Sequence, residues 1–168
     1  MTRQKLLLTW LLYGLITPFL LLCQAAGLGR LYVGRVHPFI LPCIAALPAV
    51  YTSRRGGILF GFFFGFLCDM LFAGAVPCFY LLSFMLCGFS AGLLSRRVIS
   101  PGLLCSLLVS SLSLFLTDLF QLFLLSFRGD APLAAAAAIF AREFLITIPF
   151  VFLLHPLYSR IGRLLADI

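Results

Sequence analysis

Six apolar blocks divide the chain, at residues 6–26, 36–52, 57–76, 78–95, 102–127 and 131–154, and very little lies between them. Each is close to the ~20 residues a helix needs to cross the ~30 Å hydrocarbon core of a bilayer. With no water there to satisfy backbone N–H and C=O groups, such blocks must be helical, and strands of a membrane barrel would be half as long and alternate in polarity. A water-soluble alternative fails on supply: 63 % of the residues are hydrophobic and 10 % charged, too few to cover a soluble surface. The expected fold is an all-α integral membrane protein, a bundle of six transmembrane helices forming a single domain over residues 1–168.

The connections are short and hold Gly, Pro and Arg, as in Arg54-Arg55-Gly56, Arg96-Arg97 before Pro101-Gly102, and Arg128-Gly129-Asp130. Short connections make neighbouring helices antiparallel. With the N-terminus inside, the inner side carries Arg3, Lys5, Arg54, Arg55, Arg96, Arg97, Arg160 and Arg163, against Arg30, Arg35 and Arg128 outside. This positive-inside bias places both termini in the cytoplasm. The first block resembles a signal peptide, but its apolar run is longer than such a segment needs, and the charge count works best with it retained as the first span. The formal charge of +7 is spread in ones and twos between blocks, which sets topology and builds no nucleic-acid patch.

Pro38, Pro42 and Pro48 fall in the second block, so this span is expected to be short, kinked or partly unwound. A broken helix can line a substrate site in transporters, or can be a kink that packing accommodates. The third block places Gly57, Gly61, Gly65, Asp69 and Ala73 at intervals of four, a slowly drifting ridge on one face. The fourth has small residues at Gly88, Ala91, Gly92 and Ser95, and the sixth at Ala134, Ala138 and Ala141. Small residues let helix backbones approach closely, the main source of helix association in lipid. Whether the ridge meets a neighbouring span or a partner is open at this stage. Ser106, Ser110, Ser113, Thr117 and Gln121 share one face of the fifth block, which points to burial against protein.

Asp69, Asp118, Arg142 and Glu143 are ionisable residues inside the blocks. A charge near the bilayer centre is unfavourable by at least ~2.5 kcal/mol, so pairing is expected, with Arg142 meeting Asp69 or Asp118 at one depth. Glu143, ~100° around the helix from Arg142, then faces a second polar surface, a cavity or a foreign helix. The cluster serves either function or the fixing of helix register. The six cysteines show no Cys-x-x-Cys spacing and no neighbouring His, so no metal or other cofactor is expected. His37 and His155 sit at span ends beside prolines and suit an interfacial place better than catalysis, and no enzymatic constellation is present.

The run from Gly61 to Pro77, GFFFGFLCDMLFAGAVP, resembles the Gly-Phe-x-x-Gly-x-x-x-Asp signature in the third span of the MreD family of rod shape-determining membrane proteins. Asp118 in LTDLF and the Val36-His37-Pro38 start of the second block match the same family, whereas Ala75-Val76-Pro77 stands where members often carry a further Gly. The resemblance implies a multi-pass, non-enzymatic subunit of the peptidoglycan elongation complex in the bacterial plasma (inner) membrane. Its implied partners are MreC directly, and RodA with its transpeptidase and MreB indirectly. The family is similar in architecture to the substrate-binding subunits of energy-coupling-factor vitamin transporters, which supply the alternative reading. That alternative predicts an outer ligand pocket, and here the outer loops are short.

Overall fold

In a computed structural model of the chain, residues 3–30, 32, 36–52, 54–72, 76–97, 101–128 and 133–166 are described. Among them six α-helices follow one another: α1 (Arg3–Leu22), α2 (Leu41–Tyr51), α3 (Arg54–Leu71), α4 (Phe79–Arg97), α5 (Leu103–Arg128) and α6 (Leu133–Ala166). No extended sheet forms among these residues. Three helical stretches, Trp10–Arg30, Leu103–Phe127 and Ala135–Gly162, are long and apolar enough to cross a membrane, and Leu41–Tyr51 and Phe79–Ser95 are shorter apolar helices. The surface agrees: Leu15, Met70, Phe127, Leu145 and Leu153 are each at least 70 % exposed. Large apolar side chains displayed this widely suit lipid and not water. The chain is a membrane protein.

Helix α2 is the centre. Its residues Leu41 to Val50 are all buried, and a helix apolar on every side must be enclosed by others. At 11 residues it is about 16 Å long, half the hydrocarbon thickness. The prolines account for the shortening. Pro42 stands in the first turn, where a missing N–H leaves nothing unpaired. Pro38 lies in the non-helical stretch before it, and no helical N–H is available at that position to extend α2 backwards.

Around α2 the chain runs back and forth between two ends of the bundle, a basic end holding Arg54 and Arg160 and a far end holding residues 24–30 and 36–40. Helix α1 continues past Leu22 through a π-helical turn (Cys23–Gly27) and a 3-10 turn (Leu28–Arg30) at the far end. A column of aromatic rings fills the space between α1, α3 and α4. Phe60 stacks on Phe64 at 5.8 Å and Phe64 on Phe84 at 5.4 Å, while Tyr13 meets the edge of Phe60 at 5.9 Å. Phenylalanine thus has two uses here, since Phe62, Phe63, Phe66 and Phe123 face outward. Cys43, Cys68, Cys87 and Cys105 are buried as small core residues, and Cys78 is exposed.

Candidate functional site

The tightest construction in the bundle is the contact of α3 with α4. A Cβ added to Gly61 would run into the carbonyl of Phe84, one on Gly65 into the backbone of Tyr80 and Leu81, and one on Gly88 into the carbonyl of Gly57. Gly57 lies against Ala49 of α2 as well, and Gly92 against the Cα of Arg54. The two small-residue faces therefore interdigitate as an antiparallel pair, and α4 occupies the Gly57–Gly61–Gly65 ridge along its length. Arg54 closes the basic end of the seam, its guanidinium 4.2 Å over the Phe89 ring. Ala73, the last position of the ridge, lies outside the described residues.

Asp69 closes the far end. Its carboxylate accepts the backbone N–H groups of Tyr80 at 3.1 Å and Leu81 at 2.9 Å, in the first turn of α4. Those donors have no intrahelical acceptor, and a carboxylate at a helix N-terminus is favoured by hydrogen bonding and by the helix dipole together. Helix α3 stops at Leu71. Asp69 therefore sits in its last turn, beside α4 and not in the middle of a span.

The four ionisable residues expected within the membrane do not gather into one cluster among the described residues. Both Asp69 oxygens are taken by α4, and Arg142 projects from the exposed side of α6, so the expected pairing of Arg142 with Asp69 or Asp118 is absent among the described contacts. Asp118 is 8 % exposed on α5, and Glu143 of α6 lies within electrostatic range of both Asp118 and Tyr80. Neither acid has an ion-pair partner among the described residues. Of the polar line on α5, Ser106, Ser110, Ser113 and Thr117 are fully buried, while Gln121 faces out. Ser113 and Thr117 return their hydroxyls to the carbonyls one turn earlier, at 2.8 and 2.9 Å.

Two polar clusters are not evident from sequence alone. At the far end Gln24 clamps the chain ahead of α2: its Nε2 donates to the Pro38 carbonyl at 2.9 Å, and its Oε1 accepts the Ile40 N–H at 3.1 Å. Thr147 of α6 accepts the Phe39 N–H at 3.0 Å. Non-helical backbone is tolerated at membrane depth only where protein satisfies it in this way. At the basic end His155 Nδ1 lies 2.8 Å from Ser106 Oγ and 3.1 Å from Tyr51 Oη. Ser106 Oγ also lies 3.0 Å from the Gly102 carbonyl. This joins α2, α5 and α6. The sequence places His155 at a span end because Pro156 follows it, but α6 runs on through Pro156 to Ala166, so His155 lies inside the helix.

The arrangement can hold helices together and present apolar grooves on the side of the bundle. One groove lies between α1 and α3 (Trp10, Gly14, Pro18, Phe63), another over α4 (Ile58, Met85, Phe89, Phe120), and a third between α5 and α6. Among the described residues no three His, Cys, Asp or Glu side chains gather as metal ligands. No protein-family model matches the chain, and no curated protein or solved structure matches it either.

Proposed function

We propose that the chain is a six-span scaffold subunit of the bacterial plasma membrane with both termini in the cytoplasm, of the MreD kind. In this reading it carries out no chemistry. It binds MreC and helps couple MreB filaments to peptidoglycan synthesis by RodA and its transpeptidase. The observation that carries the reading is the use made of the Gly61–Pro77 run. Gly61, Gly65 and Asp69 are committed to fixing α3 on α4, as expected of a signature that preserves an architecture and not a substrate site. The lateral position of the apolar grooves supports partners that approach within the membrane. The alternation of helix direction and the basic residues gathered at one end support six spans and cytoplasmic termini.

Co-expression with affinity-tagged MreC tests this. Stoichiometric recovery of the chain in detergent is the expected result, and its absence from a well-folded preparation would remove the reading. The transporter alternative has one feature in its favour. Beside the Gln24 clamp, Phe39, Phe72 and Tyr80 converge at 6.3–6.4 Å, aromatic side chains gathered at the far end. Native mass spectrometry showing a retained vitamin would establish that alternative in place of the scaffold.

A further inference from the structure

The groove between α5 and α6 has a volume of 370 Å³, and its wall includes Asp118, Phe115, Leu122, Ala137, Phe140 and Ala141. Asp118 is more than nine-tenths buried and makes no hydrogen bond or ion pair among the described residues. What surface its carboxyl retains opens into this groove. Glu143, equally without a described partner, stands within electrostatic range. Internal packing does not account for the two acids. Neither ties one helix to another, as Asp69 does. Arg142 cannot relieve them, because it lies roughly 150° around α6 from the groove-lining side chains.

We propose that this groove is the docking site for a membrane helix of a partner protein that carries a single Lys or Arg at the depth of Asp118. The shape argues for a helix. The lining runs from Phe115 to Leu122 on α5 and from Ala137 to Phe144 on α6, about two helical turns on each. Its α6 wall is built on alanines, which allow a second backbone to come close. The charge argues for the cation: the buried Asp118 carboxyl in the groove wall is the acceptor of its ion pair. A charged residue on a lone helix is strongly disfavoured in lipid, so a buried carboxylate on the bundle gives that helix a specific seat. The scaffold reading is needed only to name the partner; the chemistry of the groove stands apart from it.

The test uses the full chain, fluorescently labelled, in phosphatidylcholine vesicles with Leu/Ala peptides of spanning length that carry one central Arg, Leu or Glu. Energy transfer reports association. The Arg peptide is expected to bind at least about tenfold more tightly than the Leu peptide, and the Glu peptide no better than the Leu peptide. Asp118→Asn, which keeps the side-chain shape, should erase the preference. Ala141→Phe should erase it too by filling the groove while leaving Asp118 in place, and Ala141 is exposed, so folding tolerates the change. Equal binding of Arg and Leu peptides, or a preference that survives Asp118→Asn, overturns the proposal. So does self-association of the chain that disappears in Arg142→Ala, which would make a second copy the occupant. If the Arg peptide docks as expected while MreC fails to co-purify, the groove proposal holds and the scaffold reading falls.

Discussion

The Asp69 carboxylate reaches out of the last turn of α3 to accept the Leu81 N–H of α4 at 2.9 Å, with the Tyr80 N–H beside it at 3.1 Å. One side chain thereby terminates one helix and starts the next. The cap also lies where the chain turns through Cys78, a non-glycine residue at φ 62°. Such a conformation is strained for an L side chain, and the cap helps to hold it.

Removing that cap should loosen the α3–α4 hairpin before it affects anything else. Asp69→Ala leaves two helix N–H groups without an acceptor and should lower stability by about 1–3 kcal/mol. Asp69→Asn keeps one acceptor oxygen and should lose roughly half as much. Thermal unfolding in detergent, followed by circular dichroism, orders the three proteins. An Asp69→Ala variant as stable as the parent would show that the two bonds contribute nothing.

The glycines differ sharply in what surrounds them, and substitution should show it. Gly61→Ala and Gly88→Ala drive a methyl into a carbonyl of the facing helix, and backbone cannot yield as a flexible side chain can. A loss of about 1–3 kcal/mol for each follows from overpacking. Gly14→Ala has nothing within 4 Å of the new carbon, so it should raise stability by about 0.5–1 kcal/mol through helix propensity alone. Melting temperatures of the three variants are enough to test the contrast.

How much of this was legible in the sequence differs by residue. The apolar blocks and the membrane solvent follow from length and composition, and Pro38 and Pro42 show where the second helix cannot be regular. Gly57, Gly61 and Gly65 mark a close approach, because only a missing side chain permits one. They do not say what approaches, and α4 is known only once the hairpin is folded. Asp69 was harder. A carboxylate suits an arginine and a helix N-terminus equally well, and the choice depended on α3 ending at Leu71. Gln24 carried no signal at all, since its partners at Pro38 and Ile40 are 14 and 16 residues away and are backbone atoms. The approach of Asp118 to Glu143 depends on the register of α5 against α6, which spacing within either helix does not determine.

Buried hydroxyls without partners give a prediction of opposite sign. Tyr13 Oη, Tyr158 Oη and Ser110 Oγ are sealed from solvent and make no hydrogen bond among the described residues. The two tyrosine rings pack 5.8 Å apart between α1 and α6, and it is the rings that hold this contact. Tyr13→Phe, Tyr158→Phe and Ser110→Ala should therefore be neutral or stabilising by up to about 1 kcal/mol, since each removes a desolvated polar group. Ser106→Ala, which breaks contact with His155 and Gly102, should lose about 1 kcal/mol. Parallel melts of the four variants check the difference in sign.

The stretch ahead of α2 depends on two side chains for its backbone bonds, and that dependence should be measurable. Gln24→Leu matches the volume but leaves the Pro38 carbonyl and the Ile40 N–H both unpaired. At about 1–3 kcal/mol for each orphaned group, the loss should exceed that of any single hydroxyl deletion. Thr147→Val keeps the shape and removes only the acceptor of the Phe39 N–H, so it should lose roughly half of what Gln24→Leu loses. Gln24→Glu separates the two bonds: its carboxylate still accepts from Ile40 but meets the Pro38 carbonyl with no donor, so its stability should lie between parent and Gln24→Leu. Hydrogen exchange at the Phe39 and Ile40 amides reports each bond directly. Faster exchange at Ile40 in Gln24→Leu and at Phe39 in Thr147→Val is expected. Unchanged exchange at both amides would mean that the clamp does not fix this segment.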